Sequence, residues 1–249
     1  MALNTITKMR LPNGMEIALV DWTDKPLYST IDFLTGFTRE DNYLFTYVAG
    51  DQVPGVGPAA VTRRVADESD TNLATPGAMA STEEMLIYAI KPEVFELQVD
   101  QGAPPDLGTA APALIGMPIP SVVNIAMLNL RLLLQLEISQ KLYAQAGFGY
   151  FNTGFGPWAG AGVVTAPAAA TAGARTYGNP GSPEQGAVRS FVIPHHIGGQ
   201  EKYRIILVNT LGTAINFGDR EEAPIDVANA QRLMRIRIYL DGLYKRPVS

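Results

Sequence analysis

Residues 234–247 read MRIRIYLDGLYKRP, and the alternation in this stretch decides the fold class. Met234, Ile236, Ile238 and Leu240 fall on one parity, and Arg235, Arg237, Tyr239 and Asp241 on the other. A strand points successive side chains to opposite faces, so one face of the segment is apolar and buried while the other is wet or paired. Asp241-Gly242 then carries a hairpin-turn signal, and Pro247 suits an edge or a tail.

A second alternating run, LNLRLLLQLEIS at 128–139, sets Leu128, Leu130, Leu132, Leu134, Leu136 and Ile138 against a mostly polar parity and also reads as a strand. A helix competes with it, because Ile125, Leu128, Leu132 and Leu136 share a helical stripe and leucine favours helices. Further strand candidates are MEIALVDW (15–22) after the Asn13-Gly14 turn, YSTIDFL (28–34), YLFTYVAG (43–50), EEMLIYAI (83–90), EVFELQV (93–99), RSFVIPHH (189–196), KYRIILVN (202–209) and TAINF (213–217). Lys25-Pro26, Gly50-Asp51, Pro54-Gly55, Pro104-Pro105, Gly198-Gly199 and Gly218-Asp219 punctuate these runs. About ten strands with no intervening helical patterns of βαβ length exclude a parallel sheet wrapped by helices. The expected fold is all-β, a jelly-roll-type antiparallel β-sandwich with long loops. One or two short helices compete locally, at 81–90, where Ser81 and Glu84 have capping-box spacing, and at 223–234.

The 249 residues suffice for a full core in one domain, read as spanning 1–249. The 24 Gly and 18 Pro, roughly one residue in six against a usual ~12%, favour turns over long helices. Two Pro/Gly/Ala stretches, 101–120 and 157–189, are read as long connections within that sandwich; the second includes VVTAPAAATAGARTYGNPGSP (163–183), which offers no rhythm for a helix or strand. A double roll needs sixteen strands, so a single elaborated roll is preferred and a second is left open. The N-terminus lacks the pattern of a signal peptide. The longest apolar run, 119–138, is interrupted by Asn124, Asn129, Arg131, Gln135 and Glu137, so no transmembrane segment is expected. With 0 Cys the chain has no disulfide, thiolate site or cysteine nucleophile.

Catalytic signatures are missing, and the expectation is a protein that is not an enzyme and carries no cofactor and no metal. His195 and His196 are the two histidines, and neighbours on a strand point to opposite faces, which separates them as metal ligands. H-E-x-x-H, G-x-S-x-G and Ser-x-x-Lys are absent. GFGYFNTGFGPWAGAG (147–162) lacks both the G-K-[ST] ending and the G-x-G-x-x-G spacing of phosphate cradles; its glycines permit bends, and Phe148, Tyr150, Phe151, Phe155 and Trp158 supply area to the core or to a neighbour. ADESDTN (66–72) gathers oxygens without EF-hand spacing and reads as a solvated acidic loop. Arg235 and Arg237 share a face that is able to touch phosphate, but a net charge of −5 favours pairing with carboxylates on an adjacent strand or subunit, and no sequence-specific nucleic-acid partner is expected.

Taken together, LFTYVAGDQV (44–53), the run from Arg189 to Phe217 and MRIRIYLDGLYKRPVS (234–249) resemble the strand–turn–strand cadence of jelly-roll capsid proteins of viruses, bacteriophages in particular. The likeness covers about half the chain and carries no shared motif. It implies a structural virion protein that self-assembles into a shell with copies of itself and other virion proteins. The low charge and small side chains of 163–183 suit packing against another surface, and Tyr150, Phe155, Trp158, Tyr177, Arg235 and Arg237 are the interface candidates. The alternative is a carbohydrate- or ligand-binding β-sandwich module that stacks sugars on Trp158, Tyr177 or Tyr150. A cupin-type enzyme is disfavoured, since two adjacent histidines do not make its multi-histidine metal shell.

Overall fold

A computed structural model describes residues 8–10, 14, 16–18, 21–34, 38–56, 65–99, 122–151, 158–164, 173–179, 189–215, 217 and 231–245. Its longest partnership is built on the opening stretch. β14 (Gln231–Lys245) pairs along its whole length with β7 (Glu84–Val99), and on its other side with β4 (Leu27–Leu34) and then β3 (Trp22–Asp24). Met234, Ile236, Ile238 and Leu240 are fully buried, so the alternation read from the sequence holds.

The Asp241-Gly242 turn does not form. The strand runs through it with a bulge at that step, because β7 continues alongside and holds the chain extended. A Cβ on Gly242 would run into the Leu86 carbonyl, so the glycine is there for close approach. EEMLIYAI and EVFELQV likewise fuse into the single strand β7 across Lys91-Pro92. Pro92 faces Ile238 of β14 and lies beyond the reach of the strand on the other side of β7, where a missing N–H forfeits no ladder bond. The helix allowed at 81–90 is excluded: Ser81 sits in a turn closed by Glu83 N–H donating to Ala80 O (3.1 Å), and Glu84 turns to Lys245 and His196. The helix allowed at 223–234 meets β14 at Gln231–Met234; the rest of it lies outside the described residues.

At 122–138 the two competing readings hold in succession. α1 (Val122–Arg131) buries Ile125 and Leu128 and leaves Leu130 81% exposed, then β8 (Leu132–Ile138) buries every second residue. Arg131 fixes the changeover: its guanidinium donates to Ala214 O (2.9 Å) and Thr213 O (2.7 Å), and its carbonyl accepts from Thr210 N–H (3.0 Å). β8 returns through Ser139-Gln140 into β9 (Lys141–Gly147) and pairs on its other side with β13 (Tyr203–Asn209), which pairs with β5 (Asp41–Leu44). The strand expected over 43–50 stops at Leu44 because Phe45 adopts φ 65°. TAINF contributes the buried Ile215 but no named strand.

β12 (Ser190–Ile197) adds to the far side of β7. The two main sheets therefore order as β12-β7-β14-β4, extended by the short β6 (Gly55–Val56), and β5-β13-β8-β9. Counting these eight longer strands along the chain, the first pairs with the eighth, the second with the seventh, the third with the sixth and the fourth with the fifth. That is the connectivity of a single jelly roll. One core fills the space between the sheets, with Ile31, Phe33, Met234, Ile236 and Ile238 from one and Leu134, Leu136, Ile205 and Leu207 from the other.

Outside the roll, β1 (Lys8–Arg10) and β2 (Glu16–Ala18) form a hairpin, with Gly14 at φ 87° in its turn as expected of Asn13-Gly14. The segment read as structureless also pairs: β10 (Trp158–Val164) and β11 (Gly173–Asn179) make an antiparallel hairpin inserted between β9 and β12. Ala and Gly on both parities give a strand no apolar face, so periodicity is blind to it. The other long connection, 101–120, lies outside the described residues. No helix among the described residues is long and apolar enough to cross a membrane.

Candidate assembly interface

β9 and β12 are the outermost strands of the two sheets on one flank of the roll, and they meet there. The Tyr143 ring of β9 lies 5.4 Å from the His195 ring of β12, which also packs at 4.5 Å on Phe191. This flank gathers apolar side chains that the core does not take: Val192 is 93% exposed and Ile193 58%, with Leu142, Tyr143 and Tyr150 each 40–49% exposed. Exposed apolar side chains gathered on a sheet edge are what a contact surface requires.

The cause is local. β12 pairs with β7 at Ser190↔Ala89 and next at His195↔Ile87, so five steps of one strand span two of the other. The four residues Phe191 to Pro194, opposite Tyr88 alone, arch away from the ladder and carry Val192 and Ile193 outward. Below the arch His196 Nε2 meets Glu84 Oε2 at 3.1 Å, and Glu84 is held in turn by Lys245. The Lys245 hydrogen bond, more than the opposing effect of burial, draws the Glu84 carboxyl below its ordinary range. Burial lowers the His195 pKa, so the imidazole facing the apolar flank is neutral near pH 7. The two histidines thus have different partners, as the strand geometry requires.

Tyr150 belongs to this flank. It lies in a 3-10 turn over Phe148–Phe151, and the Arg189 guanidinium sits 4.1 Å above its ring. Trp158 and Tyr177 belong to the hairpin that follows this turn in the chain and precedes Arg189; Trp158 pairs with Asn179 and Gly160 with Tyr177. Phe155 lies outside the described residues.

Arg235 and Arg237 are elsewhere and engaged. Both lie on the outer face of the first sheet, where Arg235 grips the Asp32 carboxylate through Nε (2.8 Å) and Nη2 (3.3 Å). Arg237 sits between the rings of Tyr28 (5.7 Å) and Phe95 (5.5 Å) and donates to Ser69 O (2.6 Å) and Tyr239 Oη (3.3 Å). The carboxylate pairing weighed from the sequence is the arrangement present. The acidic loop 66–72 is a fitted cover over this face, since Thr30 Oγ1 donates to Asp70 O (2.9 Å), Tyr28 N–H donates to Asn72 Oδ1 (2.9 Å), and Asp70 is fully buried rather than solvated. The Tyr47 hydroxyl donates to Thr30 O (2.7 Å) beneath it, and burial pushes its pKa up to about 12. Among the described residues no group of three or more His, Asp or Glu is placed to hold a metal ion.

The sequence reading missed β9 and the β12 arch. The signal for the arch was present: Phe191-Val192-Ile193 breaks alternation with three apolar residues in a row and ends on Pro194, as a bulged edge does. Comparison with protein-family models, curated proteins and solved structures gives no match, so the functional reading rests on this chain's own geometry.

Proposed function

We propose that the protein is a structural virion protein, a capsid subunit that tiles a viral shell through repeated contacts with copies of itself and with other virion proteins. The observation that carries this reading is the apolar flank shared by β9 and β12, set on a jelly roll whose charged outer face is already satisfied within the chain. A second copy is the occupant the flank fits, because its exposed apolar side chains gain by close packing, while the Arg189 and Lys141 cations beside them already lie over the Tyr150 and Tyr143 rings. The reading assigns no catalytic step, cofactor or sequence-specific nucleic-acid contact to the chain. Its test is sedimentation and electron microscopy of the full-length protein across a concentration series: assemblies of defined geometry are expected, and a monomer at high concentration in the presence of the other virion proteins refutes it.

The second reading, a carbohydrate-binding module, draws on the ladder that brings Trp158 of β10 and Tyr177 of β11 to neighbouring register positions, Trp158↔Asn179 and Gly160↔Tyr177. Binding of neutral glycans that is lost on replacing both aromatics with alanine would support it over the first.

A further inference from the structure

A cleft of about 510 Å3 opens at one end of the second sheet, lined by Thr46, Gly77, Glu137, Gln140, Lys202, Tyr203 and Arg204. Its volume lies within the ~300–1,000 Å3 of small-molecule sites. The backbone around it is unusual. Phe45 (φ 65°), Ser139 (φ 49°), Gln140 (φ 66°) and Gln200 (φ 63°) are the non-glycine residues with positive φ among those described, and each lines the cleft or lies within two residues of a lining residue. Gly77 on its wall has φ 65° as well. Such backbone persists only where surrounding bonds over-determine it, and it concentrates at binding sites. The bonds are present here: Gly77 N–H donates to Phe45 O (2.6 Å), Tyr203 N–H to Gly77 O (3.0 Å) and Ser139 N–H to Lys202 O (2.8 Å). The two-residue turn Ser139-Gln140 occupies positions where Asn-Gly is the relaxed choice, and what it gains is a carboxamide at the cleft.

We propose that this cleft binds an acidic saccharide, a sugar unit carrying one carboxylate and several vicinal hydroxyls. Two cations and one carboxylate line it, a balance suited to a single negative charge. Arg204 is locked to Glu137 by a fork of 2.9–3.1 Å bonds and stacks 4.9 Å from the Tyr43 ring, so both groups are pre-oriented. Lys202 is exposed and has no carboxylate partner among the described residues, which leaves its ammonium for the ligand carboxylate. The Glu137 carboxylate accepts from sugar hydroxyls, while the Gln140 amide and Thr46 hydroxyl both donate and accept. A nucleotide fits poorly, because the Tyr203 ring is buried beside Phe45 and the Tyr43 ring is already covered by the guanidiniums of Arg204 and Arg39. A phosphate dianion meets the Glu137 carboxylate.

The site does not depend on the shell reading, and its test is separate. Saturation-transfer NMR and calorimetry on the full-length protein would use glucuronic acid as probe, with glucose and acetate as controls. Saturable millimolar binding of glucuronic acid is expected, with glucose and acetate at least tenfold weaker. Lys202→Ala, at an exposed position, should weaken glucuronic acid tenfold or more. Gln140→Gly should weaken it several-fold while leaving Tm unchanged or higher, a combination that a purely structural role for Gln140 does not produce. No saturable binding, equal binding of glucose or acetate, or indifference to both substitutions would overturn the proposal. Val192→Asp should leave glucuronic acid affinity unchanged, which separates failure of this site from failure of the assembly reading.

Discussion

Replacing Val192 and Ile193 together with aspartate tests the assembly flank where its chemistry is most exposed. Val192 is 93% exposed and Ile193 58%, so the folded subunit should tolerate the change within about 0.5 kcal/mol. In a contact that covers them, burying the valine is worth about 2 kcal/mol and the remaining half of the isoleucine about 1 kcal/mol. Losing ~3 kcal/mol weakens one contact about a hundredfold, since each 1.4 kcal/mol is a factor of ten. Two carboxylates that must then be desolvated weaken it further. The assay is sedimentation velocity over a thousandfold concentration range, with thermal unfolding beside it. The expected result is a critical concentration for assembly raised at least a hundredfold at unchanged Tm. Val65→Asp, a comparable exposed apolar site (59%) bridged to Gln52 away from this flank, is the control and should assemble normally. Assembly of the double variant at the wild-type concentration, or an equal effect of Val65→Asp, refutes the assignment of the flank.

Four further outcomes follow from the packing. Arg235→Met leaves the Asp32 carboxylate, 8% exposed, without its bidentate partner and should cost about 3–5 kcal/mol in urea unfolding, whereas the double change Arg235→Met with Asp32→Leu should recover most of that loss. Leu128→Ala should cost about 2–5 kcal/mol and Leu130→Lys under 0.5 kcal/mol, because helical phase buries the first and exposes the second; a strand through 128–131 would make the two alike. Gly242→Ala forces a Cβ against the Leu86 carbonyl, so it should lower the urea midpoint by more than an exposed-strand substitution, at roughly 1–3 kcal/mol. Tyr47 ionises near pH 10 when unfolded and at about 12 when folded, so the unfolded state releases its proton first as pH rises. Its contribution, about 2–3 kcal/mol, is complete below pH 10 and lost between pH 10 and 12, and Tyr47→Phe should flatten the pH dependence of unfolding in that window.

The strands that could be read from the sequence are those whose two faces differ. β14 and β8 alternate apolar with polar because one face meets the core and the other meets Asp32, Glu93 or water. β10 and β11 have no such contrast, and β9, with Ala144, Ala146 and Gly147, has little; their ladders rest on backbone bonds that no side-chain pattern reports. Turn signals failed for a different reason. Asp241-Gly242 and Lys91-Pro92 have the local chemistry of turns, but β7 and β14 lie beside each other and hold both chains extended. In each case the deciding group was on a strand more than a hundred residues away.

The same distinction separates the parts of the candidate site. The glycine-rich run showed its aromatics but not their division, since Phe148 and Phe151 turn into the core while Tyr150 between them stays half exposed. Arg235 and Arg237 were legible as a face, and their partners, Asp32, Ser69 and the ring of Tyr28, came only with tertiary register. The β12 arch was the hardest, since the broken alternation at Phe191-Val192-Ile193 marks an irregular edge without saying which side chains it exposes, and Val192 and Ile193 are exposed because three extra residues do not fit against β7.

That misfit bears on how the flank associates. A flat, regular edge strand presents an ordered row of N–H and C=O groups and accepts almost any extended chain, which is a route to uncontrolled aggregation. In β12 the arch takes those groups out of register between Ser190 and His195, and Pro194 removes one donor altogether. Ladder addition is thereby disfavoured while the side chains of Val192 and Ile193 stay available. On the proposed shell reading, association at this flank proceeds by shape-matched packing of side chains, which only a surface with complementary contours can supply. A shell subunit needs both halves of that arrangement: an edge closed to indiscriminate strands and open to one repeated neighbour.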